Sequence, residues 1–239
     1  MGHLLFVRHA QGSFLGRNYD KLSQTGETQA RLLGDYWARH QLMFDRVYSG
    51  PRTRQAETAR IVGEAYRRAG LSWPDPVVME EFDEYQADAV LEQALPRLLE
   101  SSSHVRELHR AFQRSGSSGE KLKNFQRIYE VVISQWVNGE LPRMDVESWA
   151  EFCARVRRGV SQVSTARGRG EQVVIFSSGG PVGVALQRAL DLSPQATLRV
   201  AWMVRNSAFS EFLFSGERFT LSTFNAFPHL DDASLLTYR

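Results

Sequence analysis

The sequence predicts an α/β protein with three layers (α/β/α), a mostly parallel central sheet, one antiparallel edge and a helical insertion. Three observations favour this fold class. Short apolar runs alternate with helical patterns in the first third of the chain, residues 87 to about 166 are helical throughout, and two alternating aromatic runs flank a turn near the end. Alternating strands and helices are typical of a parallel sheet that is covered by helices on both faces.

The first element is a strand at Leu4–Val7, a short apolar run ended by polar residues, which is typical of a central parallel strand. A helix follows Gly26, because apolar residues between positions 32 and 37 recur with helical spacing. The same patterns predict three further elements: a strand at 44–50, a helix at 53–69 and a proline-bracketed strand at 74–81.

The middle of the chain contains only helical patterns, at 87–100, 103–114, 120–139 and 146–163. We therefore expect one domain over residues 1–239, with a helical insertion at 87–146 that acts as a lid. Strands resume at Gln172. The apolar run Val173–Phe176 leads through two serines and two glycines into a helix opened by Pro181, and residues 206–227 predict an antiparallel hairpin at one edge of the sheet.

Composition excludes several classes of protein. The 239 residues include 29 basic and 27 acidic side chains, so a net charge of +2 argues against nucleic acid or an anionic membrane as the main partner. Cys153 is the only cysteine, which excludes an internal disulfide and a cysteine zinc cluster. The apolar run before Arg8 is too short for a signal-peptide core or a membrane span. We expect a cytoplasmic protein.

Polar and charged residues follow each predicted strand. In an open parallel sheet, ligands bind beyond the carboxyl ends of the strands, near the point where the strand order reverses. Any one of these residues alone is more often a surface or packing residue, but their joint placement at four strand ends favours a site. They are Arg8 and His9, then Arg52 and Arg54, then Glu80 and Glu81, and finally Ser177, Ser178 and Gly179.

Two sequence blocks resemble those of the histidine phosphatase superfamily, in its phosphoglycerate-mutase-like branch. FVRHAQG at 6–12 is similar to the Arg-His-Gly motif at the end of that family's first strand, with Ala10 in place of the glycine. YSGPRTRQAETA at 48–59 resembles the second block, a Ser-Pro turn followed by an arginine. Counting from the proline places the family's second arginine on Arg54 and not on Arg52.

Two further blocks extend the resemblance to about residues 3–85 and 170–230. LSQTGETQA at 22–30 matches the family's Leu-Ser-x-x-Gly helix start. VVMEEFDEY at 77–85 resembles the block that supplies the general acid, which the alignment places on Glu81, with Glu80 and Glu84 as alternative registers.

The strand end at residue 178 departs from the family. Relatives usually read Val-Ser-His-Gly-Gly there, so the second, phosphate-contacting histidine falls on Ser178. A hydroxyl can donate a hydrogen bond to phosphate but carries no positive charge. A subset of relatives has a Thr-Ser-Gly-Gly-Pro turn together with a Tyr-Asp-x-Leu-Ser segment, which residues 19–23 resemble. Ser178 is therefore similar to a subgroup trait.

The resemblance implies a phosphatase that forms a phosphohistidine. His9 is the expected nucleophile, and Arg8 and Arg54 are expected to clamp the phosphoryl oxygens as planar, permanently charged donors. The arginines supply the charge that phosphoryl transfer requires, so we expect neither a metal nor another cofactor.

The remaining expected roles belong to the cradle and to proton transfer. Ser178 and the N–H groups of Gly179 and Gly180 are expected to complete the phosphate cradle at a helix N-terminus. Glu81 is expected to protonate the leaving oxygen and then to take a proton from the hydrolytic water.

Several other residues have weaker claims. Ser13 and Arg17 follow the first block and are candidates for contact with the phosphate or the leaving group. His229 is a candidate to replace the missing histidine, although relatives often keep a similar His-Leu alongside both histidines. In the middle helices, the apolar residues with helical spacing are expected to form core or a homodimer surface, and these are Phe125, Tyr129, Val132 and Trp136.

Three functions are candidates for this sequence. The favoured one is a metal-independent phosphatase of a small phosphomonoester, with phosphoglycerate-mutase-type phosphoryl transfer as a variant. The alternative is a phospho-ligand binding or regulatory protein whose turnover was weakened when the second histidine became Ser178. A serine hydrolase that uses Ser178 is excluded by spacing, because a nucleophile elbow needs glycine where Phe176 stands.

Overall fold

The computed structural model describes residues 1–13, 20–165 and 170–238. The chain forms two compact units. The first contains Met1–Glu84 and Ala154–Arg239, and the second contains Tyr85–Cys153. The expectation that the insertion acts as a lid remains a prediction.

The first unit is built on a six-stranded mixed sheet in the order β3-β2-β4-β1-β5-β6. The pairs β1–β4, β2–β4 and β2–β3 are parallel, and the pairs β1–β5 and β5–β6 are antiparallel. This confirms the predicted mostly parallel sheet with one antiparallel edge. The strands are β1 Gly2–Arg8, β2 Arg46–Ser49, β3 Val77–Val78, β4 Gln172–Ser177, β5 Phe209–Ser215 and β6 Arg218–Ala226.

Helices flank this sheet and make up the second unit. In the described part of the chain they are α1 Gln24–Arg39, α2 Thr53–Arg68, α3 Ala87–Ser101, α4 Ser103–Gln113, α5 Ser118–Asn138, α6 Trp149–Val163, α7 Gly179–Leu190 and α8 Pro194–Met203. Two 3₁₀ turns lie at Glu80–Phe82 and Ala233–Leu235. Among these helices, none combines the length and the apolar character that crossing a membrane requires.

Two elements differ from the sequence patterns. The predicted third strand is reduced to Val77–Val78, both more than half exposed, because it lies at the sheet edge and the chain turns into the 3₁₀ segment directly after Met79. The sequence patterns did not predict helix α8. Its start signals are nevertheless clear, since Ser193 caps the helix through its side chain and Pro194 is the first helical residue.

The centre of the first unit is apolar and rich in aromatic side chains. All four residues of the apolar run in β4, Val173–Phe176, are fully buried, as a strand covered on both faces requires. On one face, Phe176 packs with Trp37 of α1 and with Trp73, and Tyr66 of α2 joins the same cluster. The sheet and these two helices therefore hold the carboxyl ends of β1, β2 and β4 in fixed positions.

The second unit has its own aromatic core. Trp136 of α5 contacts Tyr85, Trp149 and Phe152, with ring centroids 5.3–6.5 Å apart. Val132 is fully buried, as expected of a core residue. The other two residues of the helical stripe, Phe125 and Tyr129, are half-buried, and a homodimer surface there remains a prediction.

Helices α1 and α2 approach closely at Gly34. A Cβ at this position would lie 2.7 Å from the Cβ of Ala65 and 3.0 Å from the backbone of Val62. Gly34→Ala should therefore force the two helices apart and lower the free energy of unfolding by about 1–3 kcal/mol. Gly119→Ala in α5 is the control, since a Cβ there meets nothing within 4 Å. Urea unfolding of both variants measures the difference, and equal stabilities would contradict this account of the helix contact.

Candidate active site

His9 follows directly after β1, and its backbone is held on both sides. Its N–H donates to the carbonyl of Ser177 at 2.7 Å, and its carbonyl accepts from the side-chain amide of Asn206 at 3.1 Å. The first bond comes from the neighbouring parallel strand β4, so the strand pairing itself positions the histidine next to the turn at Ser178. The side chain is only 4% exposed.

The ring of His9 has one defined tautomer. Nδ1 lies 2.7 Å from the carbonyl oxygen of Ala10, which can only accept, so Nδ1 carries the proton. Nε2 lies 3.0 Å from Nε of Arg54, which can only donate, so Nε2 presents its lone pair. Both neighbours therefore require the same neutral tautomer.

The surroundings of His9 also keep the ring neutral. Burial lowers its pKa well below the usual value, and the positive charges of Arg54 and then Arg8 lower it further. The hydrogen bond to Ala10 raises the pKa but does not offset these effects. His9 is thus an unprotonated imidazole with a lone pair on Nε2 at neutral pH.

Arg54 lies in the first turn of α2 and is held by several groups. Its Nη1 donates to Oδ1 of Asp20 at 2.8 Å, and the other Asp20 oxygen accepts from the backbone N–H of Thr53 at 2.9 Å. Burial raises the pKa of Asp20, but the hydrogen bonds from Thr53 and the charge of Arg54 lower it overall. Thr58 links this turn to the first block, since its hydroxyl donates to the Arg54 carbonyl and accepts from Ala10 N–H.

Arg8, the last residue of β1, points toward the start of α7. Its Nη1 donates to the carbonyl of Val204. Its Nε lies 4.0 Å from the position that a Cβ on Gly179 would occupy. The guanidinium group of Arg8 is therefore beside the helix N-terminus and close enough to His9 to act on its pKa.

The turn at the start of α7 is buried and polar. Ser178 is the N-cap residue, is fully buried, and accepts a hydrogen bond on Oγ from Nε2 of Gln55 at 2.8 Å. The N–H of Gly180 donates to Oε2 of Glu84 at 3.2 Å. A helix N-terminus with glycine backbone and adjacent arginines is a favourable environment for an anion.

The acidic residues of the third block occupy different places. Glu81 lies on the 3₁₀ turn, and its Cβ is 2.6 Å from the position of a Cβ on Gly159 of α6. The carboxylate of Glu84, in contrast, reaches the α7 N-terminus. The turn is anchored by Phe82, which is fully buried against Phe6 of β1.

Arg52 lies on the side of the acidic groups. It forms an ion pair with Asp83, and the charges of Asp20 and Glu84 also act on it. Arg54 is the residue that contacts His9, and the assignment of the family's second arginine to position 54 stays a prediction. Glu80 is exposed.

The weaker candidates are placed as follows. Ser13 donates its backbone N–H to the carbonyl of Lys21 at 2.7 Å. Arg17 lies outside the described residues.

Nε2 of His229 lies 2.8 Å from the hydroxyl of Ser207, and burial lowers the pKa of His229 to about 4. The N–H of Ser207 donates to the carbonyls of Arg8 and His9. His229 is therefore linked, through Ser207, to the backbone of the first block.

Three residues of this arrangement were missed in the sequence analysis: Asp20, Gln55 and Asn206. Each contacts a predicted site residue through a polar side chain. Asp20 belongs to the Tyr-Asp-x-Leu-Ser segment, and Gln55 follows Arg54 directly. For these two residues, their place beside or within a family-like block of sequence was the signal that could have identified them.

Among the described residues, no group of three or more histidine, cysteine, aspartate or glutamate side chains is arranged to hold a metal ion. The positive charge at the site comes from Arg8, Arg54 and the backbone N–H groups at the start of α7, and the carboxylates of Asp20 and Glu84 contact these groups.

Comparison with solved structures supports the fold. A phosphoglycerate mutase from Bacillus anthracis matches with a TM-score of 0.62 at 15% identity, covering 95% of this chain and 94% of that chain. A phosphoserine phosphatase from Entamoeba histolytica in complex with 3-phosphoglyceric acid matches with a TM-score of 0.63 at 18% identity, covering 96% and 100%. An alpha-ribazole phosphatase from Shigella flexneri matches with a TM-score of 0.60 at 16% identity, covering 94% and 96%.

Such identities establish similarity of fold and not of substrate. No curated protein sequence matches the chain significantly. The sequence model of the histidine phosphatase superfamily, branch 1, does match it, over residues 4–140 and 117–226. Because this match spans more than half of the chain, the chain belongs to branch 1 of the histidine phosphatase superfamily.

Proposed function

We propose that this protein is a phosphatase that hydrolyses a small phosphomonoester through a phosphohistidine on His9. The observation that carries the proposal is the state of the His9 ring: its Nδ1–H is bound to a backbone carbonyl, and its unprotonated Nε2 faces Arg54. A neutral imidazole beside a guanidinium group is a nucleophile next to a binding group for phosphoryl oxygens.

In the first step, the phosphoryl group of the substrate lies between Arg8, Arg54 and the start of α7. Arg54 then exchanges His9 Nε2 for a phosphoryl oxygen as its hydrogen-bond acceptor. The lone pair of Nε2 forms a bond to phosphorus while the bond from phosphorus to the leaving oxygen breaks, and an acid protonates that oxygen. The products of this step are the free alcohol and phosphohistidine.

In the second step, water attacks the phosphohistidine. The conjugate base of the same acid takes a proton from the water, the bond between phosphorus and Nε2 breaks, and inorganic phosphate leaves. The hydrogen bond from Nδ1–H to the Ala10 carbonyl holds the ring orientation through both steps. The arginines neutralise the charge on the phosphoryl oxygens, so the scheme needs no metal ion.

We favour Glu84 as this acid and keep Glu81 as the alternative. Glu84 is supported by its bond to the N–H of Gly180, which holds its carboxylate two residues from Ser178. Glu81 is supported by the alignment of the third block, but its side chain starts against α6.

A cytoplasmic location is part of the hypothesis, since a protein with the single cysteine Cys153 suits a reducing compartment.

The alternative function is a phospho-ligand binding or regulatory protein with little turnover. It is favoured by Ser178, which leaves the position of the family's second histidine without a positive charge.

Mutase-type transfer is a further fate of the same phosphohistidine, in which a hydroxyl of the substrate replaces water. Product analysis of a turning-over reaction separates hydrolysis from transfer.

The nucleophile is tested by trapping. After a labelled phosphomonoester is added to the wild-type protein, acid-labile phosphate should be found on His9. His9→Ala should remove the label and lower kcat/KM by about 10³-fold or more. His40→Ala is the control, because His40 is exposed at the end of α1. Full turnover in His9→Ala would exclude the scheme.

The electrostatic role of Arg54 is tested without substrate. Arg54→Gln should raise the pKa of His9, because the charge that disfavours the imidazolium form is removed. The value should stay below that of a free histidine, since burial is the larger cause. NMR titration of the His9 ring in the wild type and in Arg54→Gln measures the change in this pKa. Arg52→Gln should leave the pKa of His9 unchanged, and an equal shift in both variants would contradict the assignment.

The acid is tested through the leaving group. Glu84→Gln should lower kcat/KM for an alkyl phosphate by about 10²-fold or more, because the alkoxide cannot leave without a proton. The loss should be much smaller for p-nitrophenyl phosphate, whose leaving group departs as a stable anion. Glu81→Gln is the comparison variant. If Glu81→Gln shows this dependence on the leaving group and Glu84→Gln does not, the acid is Glu81.

A further inference from the structure

Gln55 is a fully buried amide in the first turn of α2, and it connects three segments of the first unit. Its side chain reaches the backbone of Arg52, the carbonyl of Phe82 and the hydroxyl of Ser178. The mechanism above does not use this residue. A buried amide with three polar partners is costly to replace, so its placement calls for a physical reason.

The orientation of the amide is fixed by its two backbone partners. Oε1 accepts from the N–H of Arg52 at 3.0 Å, and that group can only donate. Nε2 lies 3.3 Å from the carbonyl of Phe82, which can only accept. A flipped amide would place its NH₂ group against the N–H of Arg52 and its oxygen against the carbonyl oxygen of Phe82. Neither pair can form a hydrogen bond, so the NH₂ group must face Phe82 and Ser178.

This orientation determines the role of the Ser178 hydroxyl. Nε2 of Gln55 donates to Oγ at 2.8 Å, so the hydroxyl is an acceptor toward Gln55. The side chain does not cap its own helix, and within the described part of the chain Gln55 is the one hydrogen-bond partner of Oγ. The hydroxyl proton is therefore available to another acceptor.

The structure is built to accommodate this amide. A Cβ on Gly50 would lie 2.2 Å from Oε1 of Gln55 and 2.5 Å from the carbonyl oxygen of Phe82. Only glycine at position 50 leaves the space that the side chain occupies. The carbonyl of Phe82 also accepts from the hydroxyl of Ser177 at 2.7 Å, so the whole group is buried and hydrogen-bonded.

We propose that Gln55 is a positioning residue that makes the Ser178 hydroxyl a hydrogen-bond donor to a phosphoryl oxygen. The inference rests on the proposed function, because it assumes that a phosphoryl group occupies the start of α7 beside Arg8. Gln55 donates to one lone pair of the hydroxyl oxygen, so the hydroxyl cannot donate toward Gln55 and its proton can point to the anion. Gln55 and Ser178 together replace the donor that the family's second histidine supplies.

The test is a double-mutant cycle with Gln55→Met and Ser178→Ala. Methionine keeps the length of the side chain and removes its polarity. Each single variant should lower kcat/KM for p-nitrophenyl phosphate by about 10- to 100-fold, the usual range for one hydrogen bond to a charged group. The double variant should be no worse than Ser178→Ala, because both changes remove the same donor. Orthovanadate affinity should fall in parallel.

A polarity test separates positioning from packing. In Gln55→Glu the ionised carboxylate would accept the Ser178 proton, so activity should be lost at high pH. As the pH falls and this buried carboxyl becomes protonated, it can donate again, and activity relative to the wild type should recover. Gln187→Met is the control, because Gln187 is a buried glutamine of α7 whose side-chain oxygen accepts a hydrogen bond from Arg157. The kcat/KM of this variant should stay within about threefold of the wild type.

Several outcomes would overturn the inference. Additive losses in the double variant would show that Gln55 does not act through Ser178. The same conclusion follows if Gln55→Glu shows no recovery at low pH, or if Gln55→Met lowers the thermal stability while the vanadate affinity is unchanged. If the wild type does not turn over at all, the proposed function fails. The cycle is then read from calorimetric affinities for inorganic phosphate, where additive losses or no loss would still overturn the role of Gln55.

Discussion

The candidate site depends on one hydrogen bond, from Nδ1 of His9 to the carbonyl of Ala10. It fixes the neutral tautomer of a buried imidazole and aims the lone pair of Nε2 at Arg54. The backbone around it is held by β4 and by Asn206, and rotation of the ring would break the hydrogen bonds at both of its nitrogens. Every later element of the proposed chemistry, from the arginines to the start of α7, is arranged around that nitrogen.

The sequence was sufficient for the parts of the fold that depend on local patterns. Buried strands such as β4 are continuous apolar runs, and parallel strands end on the same side of a sheet, so residues 8, 9 and 178 could be brought together by topology alone. Arg54 could be chosen over Arg52 because the second block fixes its distance from the proline. These predictions rest on spacing within a single segment and on the direction of the strands.

What the sequence could not supply depends on contacts between distant segments. Gln55 and Ser178 are 123 residues apart, and nothing in either segment indicates that an amide meets that hydroxyl. The choice between Glu81 and Glu84 depends on a 3₁₀ turn anchored by Phe82, which redirects the chain within three residues. Helix α8 has good start signals, but its apolar residues lie between two stronger elements and form no distinctive pattern.

The position of β1 has a consequence for synthesis of the chain. This strand is almost entirely buried, and its two neighbours in the sheet, β4 and β5, both lie beyond residue 170. While the ribosome makes the intervening residues, the apolar N-terminal strand has no edge to pair with, which is a state that invites aggregation. The site around His9 therefore forms only after β4 and β5 have been synthesised, and chaperone binding to the nascent chain should concentrate on strand β1 until then.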